Sequence, residues 1–216
     1  MGTSRAERPA TPPVVAVPLS TPWGSLGRRQ IAELTLPGVA IGLLGGVIAG
    51  GLSAAGGLAL DVALFAGVAL AVPLGIAGAG YELLLAKGKV PLSVLTPLVA
   101  YWAVAFPLAR VIHGGLVELY AGGGAGIPFG WLDYIVYQVL LSVGFAIGYW
   151  WLHENFVPRW WFHLRDRNPV ANDFIRYKLQ YAAAAEQARR PARGPTTPKR
   201  RRERRRTRSG GPTDNA

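Results

Sequence analysis

The side chains able to do chemistry in this sequence are few, and most lie in or beside long apolar stretches: Asp61, Glu82, Arg110 and Asp133, with the three histidines His113, His153 and His163. An ionisable group inside a bilayer is costly to place and is therefore a candidate for a ligand, ion or proton site. Asp61, Arg110 and Asp133 all fall near one end of their stretches. An Arg110 pair with Asp61 or Asp133 would read as an outer gate or as a structural ion pair. We expect the structural role, because none of the three is at mid-depth. Glu82 lies about one helical turn before Lys87, so it can snorkel to the edge or pair with a lysine; it is the residue a transport reading would use.

His113 is expected at the opposite end of the spans from His153 and His163, so it cannot share a metal with them. No H-x-x-x-H or H-E-x-x-H spacing occurs, nor a G-x-x-x-x-G-K-[ST] phosphate loop, nor a G-x-S-x-G elbow. Ser142 sits in an apolar helix with no His or Asp close in sequence, and we read it as packing. His153, Glu154 and His163 are the one cluster from which an interfacial lipid-modifying enzyme could be built. The expectation is no catalysis, no metal and no cofactor. With no cysteine in the chain, disulfides and thiolate sites are excluded.

The elements that must hold these residues are membrane helices. Half of the 216 residues are apolar and 16% are charged, a composition of the membrane class. From Pro37 to Ala54 there is no charge, and Gly38, Gly42, Gly46 and Gly50 recur every four residues, on one helical face. In water each glycine would weaken a helix by about 1 kcal/mol relative to Ala. In lipid the backbone must satisfy itself, so the helix persists and the glycine face admits a close neighbour. The next stretch carries a matching row, Ala63, Gly67, Ala71, Gly75 and Ala79. We expect these two spans to pack through their small residues as a glycine-zipper hairpin.

Apolar windows place four spans at about 32–53, 61–86, 92–111 and 131–152, the last with a further small pair, Gly144 and Gly148. Such lengths suit a hydrocarbon core of about 30 Å. Lys and Arg flank the first span (Arg28, Arg29), the link between the second and third (Lys87, Lys89) and the end of the fourth (Arg159, Arg165, Arg167). The other two links have none, apart from Arg110 at the end of the third span. The positive-inside rule then puts both termini in the cytoplasm. The expected fold is an all-α, integral-membrane four-helix bundle in the inner (plasma) membrane of a bacterium. Residues 1–27 form a disordered arm and 28–153 the membrane domain. Residues 154–190 make an aromatic belt and amphipathic helix, with Asn168 and Pro169 as N-cap and N1. Val170, Phe174, Tyr177 and Tyr181 share a face of that helix, to lie on the membrane surface or against a partner. Residues 191–216 form a disordered basic tail.

The tail carries nearly all of the net charge. Eleven Lys/Arg and one acid, Glu203, lie between Arg189 and Arg208, a net +10 out of +11 for the chain. The dense run is Lys199, Arg200, Arg201, Arg202, Arg204, Arg205, Arg206 and Arg208. Its expected partner is the anionic lipid headgroup; nucleic acid is the lesser alternative, since no aromatic residue interleaves the charges. Beyond the bilayer itself, a membrane-protein partner or a second copy of the chain is expected. The leading functional reading is a non-catalytic accessory, scaffolding or regulatory subunit of a membrane complex. A small oligomeric transporter or channel is the alternative, and a membrane-embedded lipid-modifying enzyme comes third.

Overall fold

The computed structural model describes residues 19–20, 22–122 and 130–189. The described part is helical: α1 (Arg28–Ala55), α2 (Leu60–Ala86), α3 (Leu95–Ala121), α4 (Trp131–Leu164) and α5 (Pro169–Arg189). The first four are long and apolar enough to cross a membrane. At 1.5 Å per residue, the 27 residues of α2 reach about 40 Å. The arm before Leu19 and the tail after Arg189, including the basic run from Lys199 to Arg208, lie outside the described residues.

The chain divides into two compact units, one covering 11–178 and the other 1–10 with 179–216. In the second unit the described residues are helical, the continuation of α5. The larger unit is a ring of four helices, α1 against α2, α2 against α3, α3 against α4, and α4 back against α1.

Neighbouring helices run antiparallel, as the α1–α2 contacts demonstrate. A Cβ added to Gly38 would strike the Gly78 carbonyl, one on Gly42 the Leu74 carbonyl and one on Gly46 the Ala71 side chain. At Gly50 it would come 3.0 Å from the Gly67 Cα. The two backbones therefore approach as closely as missing side chains allow. Gly75 is looser, 3.5 Å from Leu43. Gly144 and Gly148 differ from these, because a Cβ on either meets nothing within 4 Å.

Helices α1 and α2 each end at a left-handed glycine. Gly57 (φ +91°) follows α1, with Leu58 N–H donating to the Ser53 carbonyl and Gly57 N–H to Ala54. Gly88 (φ +64°) follows α2 with the same pair of bonds, Lys89 to Leu84 and Gly88 to Leu85. This is the Schellman arrangement, which satisfies the orphan carbonyls of a helix end.

Helix α4 does not stop where its apolar window ends. It continues for 34 residues through Pro158 to Leu164, so at 1.5 Å per residue it exceeds a 30 Å hydrocarbon core by about 20 Å. The chain then turns at Arg165–Asn168, and α5 starts at Pro169 with Ala171 N–H directed at Asn168 Oδ1, 3.4 Å away. The apolar face of α5 turns inward: Val170 and Phe174 are buried, and Phe174 packs on Trp161 at 4.6 Å between ring centroids. These residues thus spend their apolar face on α4 of the same chain.

The beginning of α1 is fastened to the corner between α4 and α5. Gln30 Nε2 donates to the Arg167 carbonyl (3.0 Å), and Asn168 Nδ2 donates to the Gln30 carbonyl (2.9 Å). Arg167 also pairs with Glu33 at 3.3 Å. Upstream, Ser20 donates through its backbone N–H and its hydroxyl to the Asp173 carboxylate, each at 2.8 Å to Oδ2. Lys87, at the end of α2, lies over the Trp23 ring. We call this end of the bundle, which gathers Arg28, Lys87 and Arg167, the basic end.

Candidate functional site

The core between α2, α3 and α4 is a continuous run of rings. Phe106 and Trp102 of α3 meet Phe145 of α4; Trp102 meets Tyr149, and Tyr149 and Tyr81 flank His153. Toward the basic end the series passes from His153 to Trp161 and then Phe174. Each ring lies against the next in a tilted, edge-on or offset geometry, the arrangements favoured by aromatic quadrupoles.

Within this aromatic packing lies a chain of titratable groups. Glu82 of α2 and His153 of α4 are 1% and 3% exposed, and Glu82 Oε1 stands 3.0 Å from His153 Nε2. Neither atom has an aligned hydrogen-bond partner among the described residues. The other ring nitrogen, Nδ1, lies 3.7 Å from Glu154 Oε1. Glu154 Oε2 then accepts from Lys178 Nζ of α5 at 2.6 Å. The four residues form a line from the bundle interior to a partly exposed lysine, and the line joins α2, α4 and α5.

Glu82 therefore neither snorkels to the edge nor pairs with Lys87. Its helix presents it inward, where His153 of the diagonal helix meets it, while Lys87 lies over Trp23. His153 and Glu154 are brought together, but His163 is not: it lies on another face of α4, its Nδ1–H directed at the Arg159 carbonyl (2.7 Å). Among the described residues Arg110 is within ion-pair distance of neither Asp61 nor Asp133. Its Nη1 stands 3.1 Å from His113 Nδ1, one turn along α3. No group of three or more His, Cys, Asp or Glu among the described residues is arranged to hold a metal.

Two buried polar residues further along α4 had no functional role in the sequence analysis. Gln138 and Ser142 are buried on the same face of α4 as Tyr149 and His153. Ser142 Oγ is satisfied by its own helix, donating to the Val139 carbonyl at 2.6 Å. The spacing 138, 142, 149, 153 steps by four, seven and four, so it keeps one helical face. That periodicity of polar residues in an apolar helix is the signal by which a sequence reading could find them.

Two cavities open elsewhere among the described residues. One lies between α1 and α4 and another between α2 and α3, and Glu82, His153 and Glu154 line neither. No family model, curated protein or solved structure matches this chain.

Proposed function

We propose that this chain is a non-catalytic, multi-pass membrane protein, an accessory or regulatory subunit of a membrane complex. The observation that carries the reading is the Glu82–His153–Glu154–Lys178 line. Its acid and base groups are spent on one another, away from the cavities, and they join the membrane bundle to α5. A line of this kind acts as a joint: it holds the first part of α5, through Lys178, against the spans, as a platform for a partner needs. The loop charges support a cytoplasmic position for the basic end and both termini, and the close contact of α1 and α2 would serve as the rigid base. The tail from Lys199 to Arg208 would add an electrostatic hold on anionic headgroups, at about 1 kcal/mol per Lys or Arg near the surface.

Affinity purification of the full chain from its native membrane in mild detergent tests this reading. A stoichiometric membrane-protein partner is expected, retained when the tail charges are screened by salt. A monomer with no partner would contradict it.

A second reading, a small transporter, is favoured by one observation. Glu82 and His153 are a buried titratable pair without an aligned hydrogen bond, the type of group a proton-coupled carrier uses. Proton flux dependent on Glu82 would decide for it.

A further inference from the structure

Between α1 and α4 lies an open groove of about 570 Å³. One wall is Leu36, Ala40 and Leu44 of α1, at i, i+4 and i+8. The opposite wall is Leu152 and Phe156 of α4. Leu36, Leu44 and Phe156 expose 48%, 42% and 53% of their surface. At the end of the groove nearest the α4–α5 corner the lining changes character, to Arg159, Trp160 and His163. Arg159 is exposed and pairs with no carboxylate among the described residues. His163 has committed Nδ1 to the Arg159 carbonyl, which leaves Nε2 as its free ring nitrogen.

We propose that this groove binds one anionic phospholipid from the surrounding bilayer, its acyl chain between α1 and α4 and its phosphate on Arg159, with His163 Nε2 beside it. An apolar slot that ends in an unpaired guanidinium is complementary to a molecule with a hydrocarbon body and an anionic head. Arginine suits the phosphate because its planar fork presents two parallel donors. The indole of Trp160 sits at the boundary, with its N–H already bonded to the Glu33 carbonyl at 2.8 Å, so the ring is held as a fixed wall.

A partner helix fits the groove less well. Membrane helices associate closely through small residues, and the small face of α1 is already used against α2. The face of α1 that lines the groove is mostly leucine and isoleucine, and an unpaired arginine would need an acid from the partner. Lipid supplies both the chain and the charge.

The test uses the full chain, delipidated in detergent and then titrated with phosphatidylglycerol or phosphatidylcholine, with bound lipid counted by native mass spectrometry. One phosphatidylglycerol should be retained per chain in preference to phosphatidylcholine. Arg159→Gln should lower that preference by about fivefold, the contribution of one Arg at an anionic surface. Ala40→Phe fills the groove and should remove the bound lipid of either kind, and an unchanged melting temperature establishes that it still folds. Equal retention of the two lipids by wild type would overturn the proposal. So would undiminished phosphatidylglycerol on Arg159→Gln, which would move the anionic lipid to the tail. Binding of glycerol phosphate as tightly as the lipid would also overturn it, by making the site one for a free anion. A second protein copy in place of lipid, lost with Ala40→Phe, would assign the groove to a helix instead.

Discussion

The indole N–H of Trp160 donates to the backbone carbonyl of Glu33 at 2.8 Å, and the reason lies four residues further along α1. Residue 37 is proline, which has no N–H to give to the carbonyl at i−4. The acceptor that α1 cannot satisfy for itself is satisfied by α4. A helix break is thus used as an inter-helix joint, at the point where α1 must meet the part of α4 that extends past the apolar core.

Trp160→Phe keeps the ring and removes the donor, so the Glu33 carbonyl loses its partner in an apolar setting. A loss of about 1–3 kcal/mol is expected, read as a lowered melting temperature in detergent. Pro37→Ala restores the backbone N–H, and on that background Trp160→Phe should cost markedly less. Equal costs on both backgrounds would show that the indole bond does not answer to the proline.

The glycines divide into two classes that respond to substitution in opposite directions. At Gly42 even a methyl group strikes the Leu74 backbone, which cannot move without separating the helices, so Gly42→Ala should destabilise by about 1–3 kcal/mol. At Gly144 the same change meets nothing and should be neutral or stabilising by up to about 1 kcal/mol, the helix propensity of Ala over Gly. Thermal melts of the two variants check the sign. A tolerated Gly42→Ala would mean that α1 and α2 are not in contact along this face.

Breaking the buried Glu82–His153 contact from one side should be worse than removing it altogether. Glu82→Leu leaves His153 without its partner, at a cost of about 3–5 kcal/mol. Replacing both residues by leucine removes both desolvation penalties and should recover most of the loss. A double-mutant cycle on melting temperature measures this, and strictly additive losses would mean that the two groups do not interact.

Lys178 and Glu154 are about one-fifth exposed, so their pair is only partly screened from water. Lys178→Ala should cost no more than about 1 kcal/mol. The visible effect should be faster protease cleavage at the Arg165–Asn168 turn, as α5 is held less firmly. An unchanged cleavage rate would leave Phe174 and Asp173 as the residues that fix the helix.

Cysteine labelling gives the orientation. On the cytoplasmic reading, Ala121→Cys should react only from outside the cell and Thr207→Cys only from inside. Labelling of Ala121→Cys from the cytoplasm would reverse it.

The four apolar helices were legible in sequence because hydropathy and length suffice to mark them. In α1, glycine at every fourth position strips one side of the helix down to its backbone, and a Cβ on Gly38, Gly42 or Gly46 would strike α2. What hydropathy could not supply was rotation. In α2, Leu70 and Leu74 are buried while Leu64 and Val68 are about 60% exposed, yet all four are apolar, because lipid and protein interior ask for the same residue types. A charged side chain's partner is equally hidden. Glu82 and His153 stand seventy-one positions apart, and only the crossing of α2 and α4 brings them together. The inward turn of α5 was hidden for a related reason: an amphipathic face announces that it must be covered, but not by what. Here the cover is Trp161, on an extension of α4 that lies beyond its apolar window.

On the reading proposed above, Glu82 and His153 form a joint and do not carry protons. Its most direct test is proton flux into sealed proteoliposomes that hold the full chain and a pH-sensitive dye, under an imposed gradient. Wild type and the Glu82→Leu/His153→Leu variant should both match protein-free vesicles. Flux through wild type that the double variant lacks would contradict it.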